Sequence, residues 1–211
     1  MVKNFVSNKD ETVRMFKSDF MEALSKVHWT VPLYFYVPVV LYFLYRSLYI
    51  FGESIENTIL YFVLGLFFWT FAEYFLHRFL FHFHPKSEVG KKIIWTFHGV
   101  HHDYPSDSKR LVMPPSASIP LAIIFYVLFY YTLGNIITAP FFAGFITGYL
   151  IYDITHYAIH HFNMRSKLML AIKNHHMLHH FKDPQNGFGV SQPVWDHVFG
   201  TTFPHKQNKK K

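Results

Sequence analysis

The sequence predicts an all-α integral membrane protein, with four transmembrane helices under a histidine-rich helical cap on the cytoplasmic side. Three observations carry that expectation. Four stretches are apolar and long enough to cross a bilayer. Lysine and arginine avoid two of the connections and crowd the others. Sixteen histidines in 211 residues gather mainly in four short clusters.

Residues 1–30 are polar and mixed in charge. "SDFMEALSKV" reads as a short amphipathic helix capped by Ser18 or Asp19, with Phe20, Leu24 and Val27 on one face. A solvated leader is the alternative, and no apolar signal-peptide core is visible here. "VPLYFYVPVVLYFLYRSLYIF" (31–51) is the first span. At about 1.5 Å per residue it crosses a core of about 30 Å. Arg46 can snorkel from its end, and Pro38 introduces a kink. "GESIEN" (52–57) is a turn, and 58–76 is the second span. Residues 118–137 and 140–157 are the third and fourth, the last richer in glycine. The chain thus divides into an N-terminal segment (1–30), a membrane domain (31–203) and a basic tail (204–211).

Charge orients the spans. Segments 52–57 and 134–139 hold no Lys or Arg. Of the 20 basic residues, five precede the first span, and the rest, Arg46 apart, fall in 78–110 or 165–211. The positive-inside rule then puts both termini and all four histidine clusters on the cytoplasmic face. The formal charge of +7 is not gathered into a stripe interleaved with exposed aromatics, so no nucleic-acid partner is expected. Cysteine is absent. Disulfides and thiolate metal sites are therefore excluded.

The clusters have ligand spacing. His98, His101 and His102 lie at i, i+3 and i+4, and His176, His179 and His180 repeat this. His156 and His160 lie at i, i+4. On a helix such positions share a face, so each cluster can aim imidazoles at one point. His77 and His82 are five apart, about 140° round a helix. They suit two neighbouring ions, unless the helix unwinds between them. A lone histidine is ordinarily a polar surface residue, the reading kept for His28, His197 and His205. Ten clustered imidazoles would repel one another once protonated, whereas metal ions hold them neutral. Ten ligands suit two ions. Imidazole accepts Zn, Cu, Fe or Ni, and the sequence does not choose among them.

"EYFLHRFLFH", "HGVHHDYPSDSKRLVMPP", "YDITHYAIHH" and "HHMLHHFKDPQNGFGVSQPVWDHVFGT" resemble the membrane fatty acid 2-hydroxylases. These belong to the sterol desaturase / fatty acid hydroxylase superfamily, and the resemblance spans roughly 18–203. It implies a monooxygenase with two Fe ions, using O2 to hydroxylate C2 of a free fatty acid or a sphingolipid N-acyl chain. Zn could replace Fe in purified protein. The implied ligands are His77, His82, His98, His101, His102, His156, His160, His176, His179 and His180. His161, His175 and His84 are neighbours with supporting roles or none. Asp153 and Glu73, each one turn before a histidine, could orient an imidazole. Arg110 could meet a lipid headgroup, with Pro114 and Pro115 stiffening a substrate loop. "GFG" (187–189) marks a turn needing positive φ. Eukaryotic members commonly carry a cytochrome b5 domain. The first 30 residues are too short for one, and its His-Pro-Gly-Gly motif is absent. The expectation is a separate cytochrome b5-like or ferredoxin-like electron donor. It favours a bacterial inner membrane over the endoplasmic reticulum.

Two rivals remain. A sterol or carotenoid oxidation in the same superfamily would need a wider cavity. A metal transporter would place ligands near the bilayer midplane, yet the middles of the first three spans hold no His, Asp or Glu.

Overall fold

The computed structural model describes residues 4–204; the basic segment 205–211, with His205, lies outside them. Among the described residues all regular structure is helical. The helices are α1 (Asp19–Leu24), α2 (Val31–Tyr45), α3 (Ile55–Phe75), α4 (Glu88–Ile94), α5 (Val100–Asp103), α6 (Pro115–His161), α7 (Lys167–Phe181) and α8 (Val194–Val198). Wide π turns prolong three of them: Arg46–Ile50 after α2, Leu76–Phe81 after α3 and Trp95–Gly99 after α4.

Three helical stretches are long and apolar enough to cross a membrane: Val31–Ile50, Ile55–Phe81 and Pro115–His161. The third is not straight. Gly134 interrupts it at φ 77°, ψ 165°, a conformation costly for any residue with a Cβ. Ring pairs then nest across the break: Phe125 with Phe145 at 4.8 Å, Phe129 with Phe141 at 4.9 Å and Tyr126 with Phe142 at 5.3 Å. The chain has turned back on itself, so α6 is a hairpin of two arms. The turn falls at Gly134, earlier than the expected boundary at 138–139, so Thr138 and Ala139 already belong to the second arm.

Burial follows the helical repeat. In the first arm Ser118, Phe125, Tyr126 and Phe129 turn inward, while Ile119, Ile123, Ile124, Val127 and Leu128 face outward. A soluble protein would not ordinarily leave such a stripe uncovered, and it has the character of a lipid-facing surface. The interior is aromatic, built on Phe43, Trp69, Phe129, Phe142, Phe145 and Tyr149. α3 crosses the second arm at two facing glycines. A Cβ on Gly144 would run into the backbone oxygen of Phe62, and one on Gly65 into that of Phe141. Small residues let membrane helices approach this closely. Gly144→Leu should therefore overpack the crossing by about 3 kcal/mol. Thermal melting of purified protein in detergent checks this, and an unchanged midpoint would contradict the crossing.

The N-terminal segment folds over the histidine end. Ser18, not Asp19, caps α1. The helix also turns inward differently from its apolar pattern: Phe20 is exposed, while Glu22 is buried. The reason is electrostatic. Glu22 meets Arg110 and Lys26, each at 2.7 Å, and accepts from Met15 N–H at 2.9 Å and Phe16 N–H at 3.0 Å.

Candidate metal centre

The ten histidines form two groups. His77, His82, His98, His102 and His179 make the first, and His101, His156, His160, His176 and His180 the second. Within each group, one ring nitrogen per residue lies within 4.8 Å of all the others. The groups adjoin, with the His102 and His180 rings stacked at 4.2 Å.

Local geometry explains the division. Helical residues step by about 100°, so His176 and His180 share one direction and His179 takes another. The same holds for His98 and His102 against His101. Each H-x-x-H-H run therefore splits between two groups and does not aim at one point. The π turn after α3 decides the His77–His82 pair. His82 N–H reaches His77 O at 3.1 Å, and this i→i+5 turn brings residues five apart onto one face. Both join the first group, with ring centroids 4.9 Å apart.

The donor set fits metal ions. His77 Nδ1–H donates to Phe188 O at 2.6 Å, and His179 Nδ1–H donates to Asn186 O at 2.7 Å. Both rings thereby present a bare Nε2 to the group. Yet His77 Nε2 lies 3.0 Å from His98 Nε2, and His179 Nε2 lies 3.1 Å from His82 Nε2. In the second group His176 Nε2 is 3.0 Å from both His160 Nε2 and His180 Nε2. The buried Nε2 atoms of His101 and His156 have no hydrogen-bond partner. Crowded lone pairs need a cation. Two nitrogens bound at about 2.1 Å and at right angles stand about 3.0 Å apart; a tetrahedral angle would give about 3.4 Å. The observed spacing is compatible with nitrogens that would share one ion.

Burial and neighbouring imidazoles keep these rings neutral, as ligation requires. Burial, then the crowding rings, hold His98, His101, His102, His176 and His180 well below the usual imidazole range. His82 is pulled to about 2 by burial, His179 and His102. Burial lowers His179 to about 4, against the opposing pull of the Asn186 carbonyl and Asp196.

The other site candidates stand one layer out. Glu73 does not touch an imidazole. It accepts from Val190 N–H at 2.7 Å, Ser191 N–H at 2.8 Å and the Ser191 hydroxyl. It pins the loop whose Phe188 carbonyl orients His77. Asp153 likewise accepts from Met113 N–H at 3.2 Å and Tyr149 OH at 3.0 Å, holding the 110–114 loop. Arg110 is buried against Glu22 at 2.7 Å and also lines a large cavity beside the histidines. Pro114 and Pro115 begin α6. His175 donates to Asp196 at 3.1 Å, while His161 stacks on Tyr157 at 4.6 Å. His84, His28 and His197 are exposed and outside both groups.

Asp196 escaped the sequence reading. Fully buried, it accepts from Phe188 N–H and Gly189 N–H at 2.8 Å each and from the Thr201 hydroxyl at 2.7 Å. It ties the "GFG" turn to α8. Gly187 has the expected positive φ, 74°, and a Cβ there would strike the Phe203 ring. The "GFGV…WD…FGT" signature is thus a clamp on the loop behind His77. Only the Trp-Asp pair hinted at a buried carboxylate.

A cavity of about 240 Å³ opens beside both groups, bordered by His98 of the first and by His101 and His156 of the second. Phe16, Met21, Phe81, Phe97, Leu111 and Met113 give it apolar walls.

Known proteins match this arrangement. The fatty acid hydroxylase family model covers residues 62–201. A dihydroceramide fatty acyl 2-hydroxylase of Arabidopsis thaliana is 40% identical over 95% of this chain and 84% of its own. A fatty acid 2-hydroxylase of Mus musculus is 38% identical over 94% of this chain and 59% of its own. A ceramide very long chain fatty acid hydroxylase of Schizosaccharomyces pombe is 38% identical over 88% of this chain and 54% of its own. The chain thus spans little more than half the length of the last two. The visible hydroxylase domain of full-length scs7p superposes with a TM-score of 0.83 at 38% identity, over 88% of this chain and 70% of that one. Sequence, fold and histidine arrangement agree: the chain belongs to the fatty acid hydroxylase family.

Proposed function

We propose that this protein is a membrane fatty acyl 2-hydroxylase, an O2-dependent oxidoreductase acting on free or sphingolipid-bound acyl chains. The ten histidines of the two groups would hold a pair of metal ions, taken as iron. The observation that carries the reading is the apolar cavity of about 240 Å³ that borders both groups. Bound there, iron supplies O2 activation for insertion of one oxygen atom into a C–H bond.

The protein's own part is placement. The apolar part of the walls suits an acyl chain. The carboxyl or amide end stays at the histidine end of the bundle, so that carbons near it, C2 among them, reach the site. Phe188 O and Asn186 O orient His77 and His179, and Glu73 and Asp196 fix the loop that carries Phe188. Electrons are assigned to a separate cytochrome b5-like or ferredoxin-like protein. The test is expression in a host lacking 2-hydroxy lipids, followed by mass spectrometry of released fatty acids under ¹⁸O₂. Label on C2, formed only with O2 and an electron donor, is the expected result. Label on a mid-chain carbon, or an unlabelled double bond, would replace 2-hydroxylation with another reaction.

The reading includes four spans, with the α6 hairpin supplying two, the histidine end as a cytoplasmic cap, and both termini cytoplasmic. The first arm, 115–133, is about 28 Å long, enough to reach across the core. The division into an N-terminal segment, a membrane domain and a basic tail belongs to the same proposal. Reporter fusions at Asn57 and Asn135 should read as external, and fusions at Lys86 and Lys211 as cytoplasmic. A cytoplasmic signal from Asn135 would remove the hairpin from the bilayer.

A further inference from the structure

A second, smaller cavity of about 20 Å³ lies inside the bundle, lined by Tyr36, Trp69, Ala122, Phe125, Phe145 and Tyr149 among others. Met113 is the residue that also lines the large cavity. The small cavity continues the large one along the same helices. From Ala117 on the large cavity to Phe125 on the small one is eight residues, about 12 Å of helix. From His156 back to Phe145 is eleven residues, about 16 Å. Both steps lead away from the histidines. The space is dry in character. Tyr36 OH is used by the Ser118 hydroxyl at 2.9 Å, and Tyr149 OH by Asp153 at 3.0 Å. The two tyrosine rings are left as apolar walls, and the Trp69 Nε1–H, without a hydrogen-bond partner, is the polar atom that remains among the described lining residues.

The partition between the cavities is movable by its chemistry. Asp153 holds the Met113 backbone N–H, but the side chain is an unbranched thioether with several rotatable bonds. The small cavity as it stands has room for about one water-sized group. Anything longer requires that side chain to swing aside.

We propose that the distal carbons of the acyl chain pass Met113 into this second cavity. Met113 and the residues around Ala122 then set the chain length accepted. The proposal rests on the fatty acyl reading of the large cavity and adds to it a specificity determinant away from the histidines. Each methylene that finds apolar space should strengthen binding by roughly fourfold. Once the space is filled, further carbons gain nothing.

The test uses the purified, metal-loaded protein and a graded series of saturated fatty acids, with binding read by thermal stabilisation. In the wild type, affinity should climb with chain length and then break. Ala122→Phe fills the second cavity without touching the first, and should move the break to shorter chains. Met113→Ala joins the cavities, and should move it to longer ones. Ala122→Val is the milder filler if Phe prevents folding. Competition between two acids bracketing the break should shift the product ratio in the same sense, by at least about fourfold per carbon. A break that stays in place in every folded variant would make the second cavity a packing void only, and overturn the proposal. If the break moves but no 2-hydroxy product forms from any acid, the 2-hydroxylase reading fails while this one stands.

Discussion

His179→Ala and His180→Ala, neighbours on one helix, should each cost the protein a different metal ion. His179 belongs to the first histidine group and His180 to the second. Metal analysis should fall from two ions per chain to about one in either variant. Anomalous difference density should vanish at opposite positions in the two. Turnover should fall by more than about 100-fold, because even outer partners of metal ligands typically cost 10- to 100-fold. Glu73→Gln and Asp196→Asn belong to that milder range. They loosen the loop behind His77 and leave all ten imidazoles present. His28→Ala should be neutral, since His28 is exposed and bonds only locally, to Thr30. If His179→Ala and His180→Ala both retained two ions, the two-centre arrangement would be wrong.

That pairing shows what the sequence could and could not display. The identity of the ten histidines was legible, because the residue type is rare and its clustering is local. Their division was not. Periodicity says that His98, His101 and His102 share a broad face, but a 60–100° difference within that face separates two ions. The His77–His82 pair was left between two alternatives for a related reason, and the structure takes the one in which the helix departs from α geometry. An α-helix puts them about 140° apart, and no pattern in "HRFLFH" announces a π turn.

Long-range partners were the least visible. Glu73 and Asp153 were noticed for being one turn from a histidine, yet both serve loops remote in sequence: 190–191 for Glu73 and 113 for Asp153. Arg110 was noticed for its place in a loop at the membrane end, and it does border the large cavity. Its partner Glu22 lies in a leader that composition alone describes as polar. The apolar spans, by contrast, read well, since length and hydropathy are local quantities. The α6 hairpin turns at Gly134, inside the stretch assigned to the third span, where the turn had been expected at 138–139.

Acid should destabilise the metal-free protein before it protonates carboxylates of ordinary affinity. Seven of the histidines lie outside the membrane-spanning helices, and burial with imidazole crowding holds each below its ordinary value of 6.5. Near pH 6.5 the unfolded chain takes up protons that the folded chain refuses. The unfolded state then binds more protons, so stability falls as the pH drops. Each such group contributes up to about 1.4 kcal/mol per pH unit. The window runs from 6.5 down to about 4 for His179 and about 2 for His82. Glu22 adds a separate, lower limb. Burial would raise its carboxyl, but Lys26, the Phe16 and Met15 amides and Arg110 outweigh that and hold it at about 2. Its contribution is complete above its ordinary 4.5 and is lost between there and about 2. The thermal midpoint of chelator-treated protein should therefore drop steeply between pH 6.5 and 5.5, where carboxylates of ordinary affinity are still largely ionised. Glu22→Gln should remove only the lower limb. Metal-loaded protein should resist acid longer, because ligation holds the rings neutral until protons displace the ions. A metal-free midpoint that stayed flat from pH 6.5 to 5.5 would mean that the imidazoles are not held neutral by their surroundings, and that the two groups are open to water when empty.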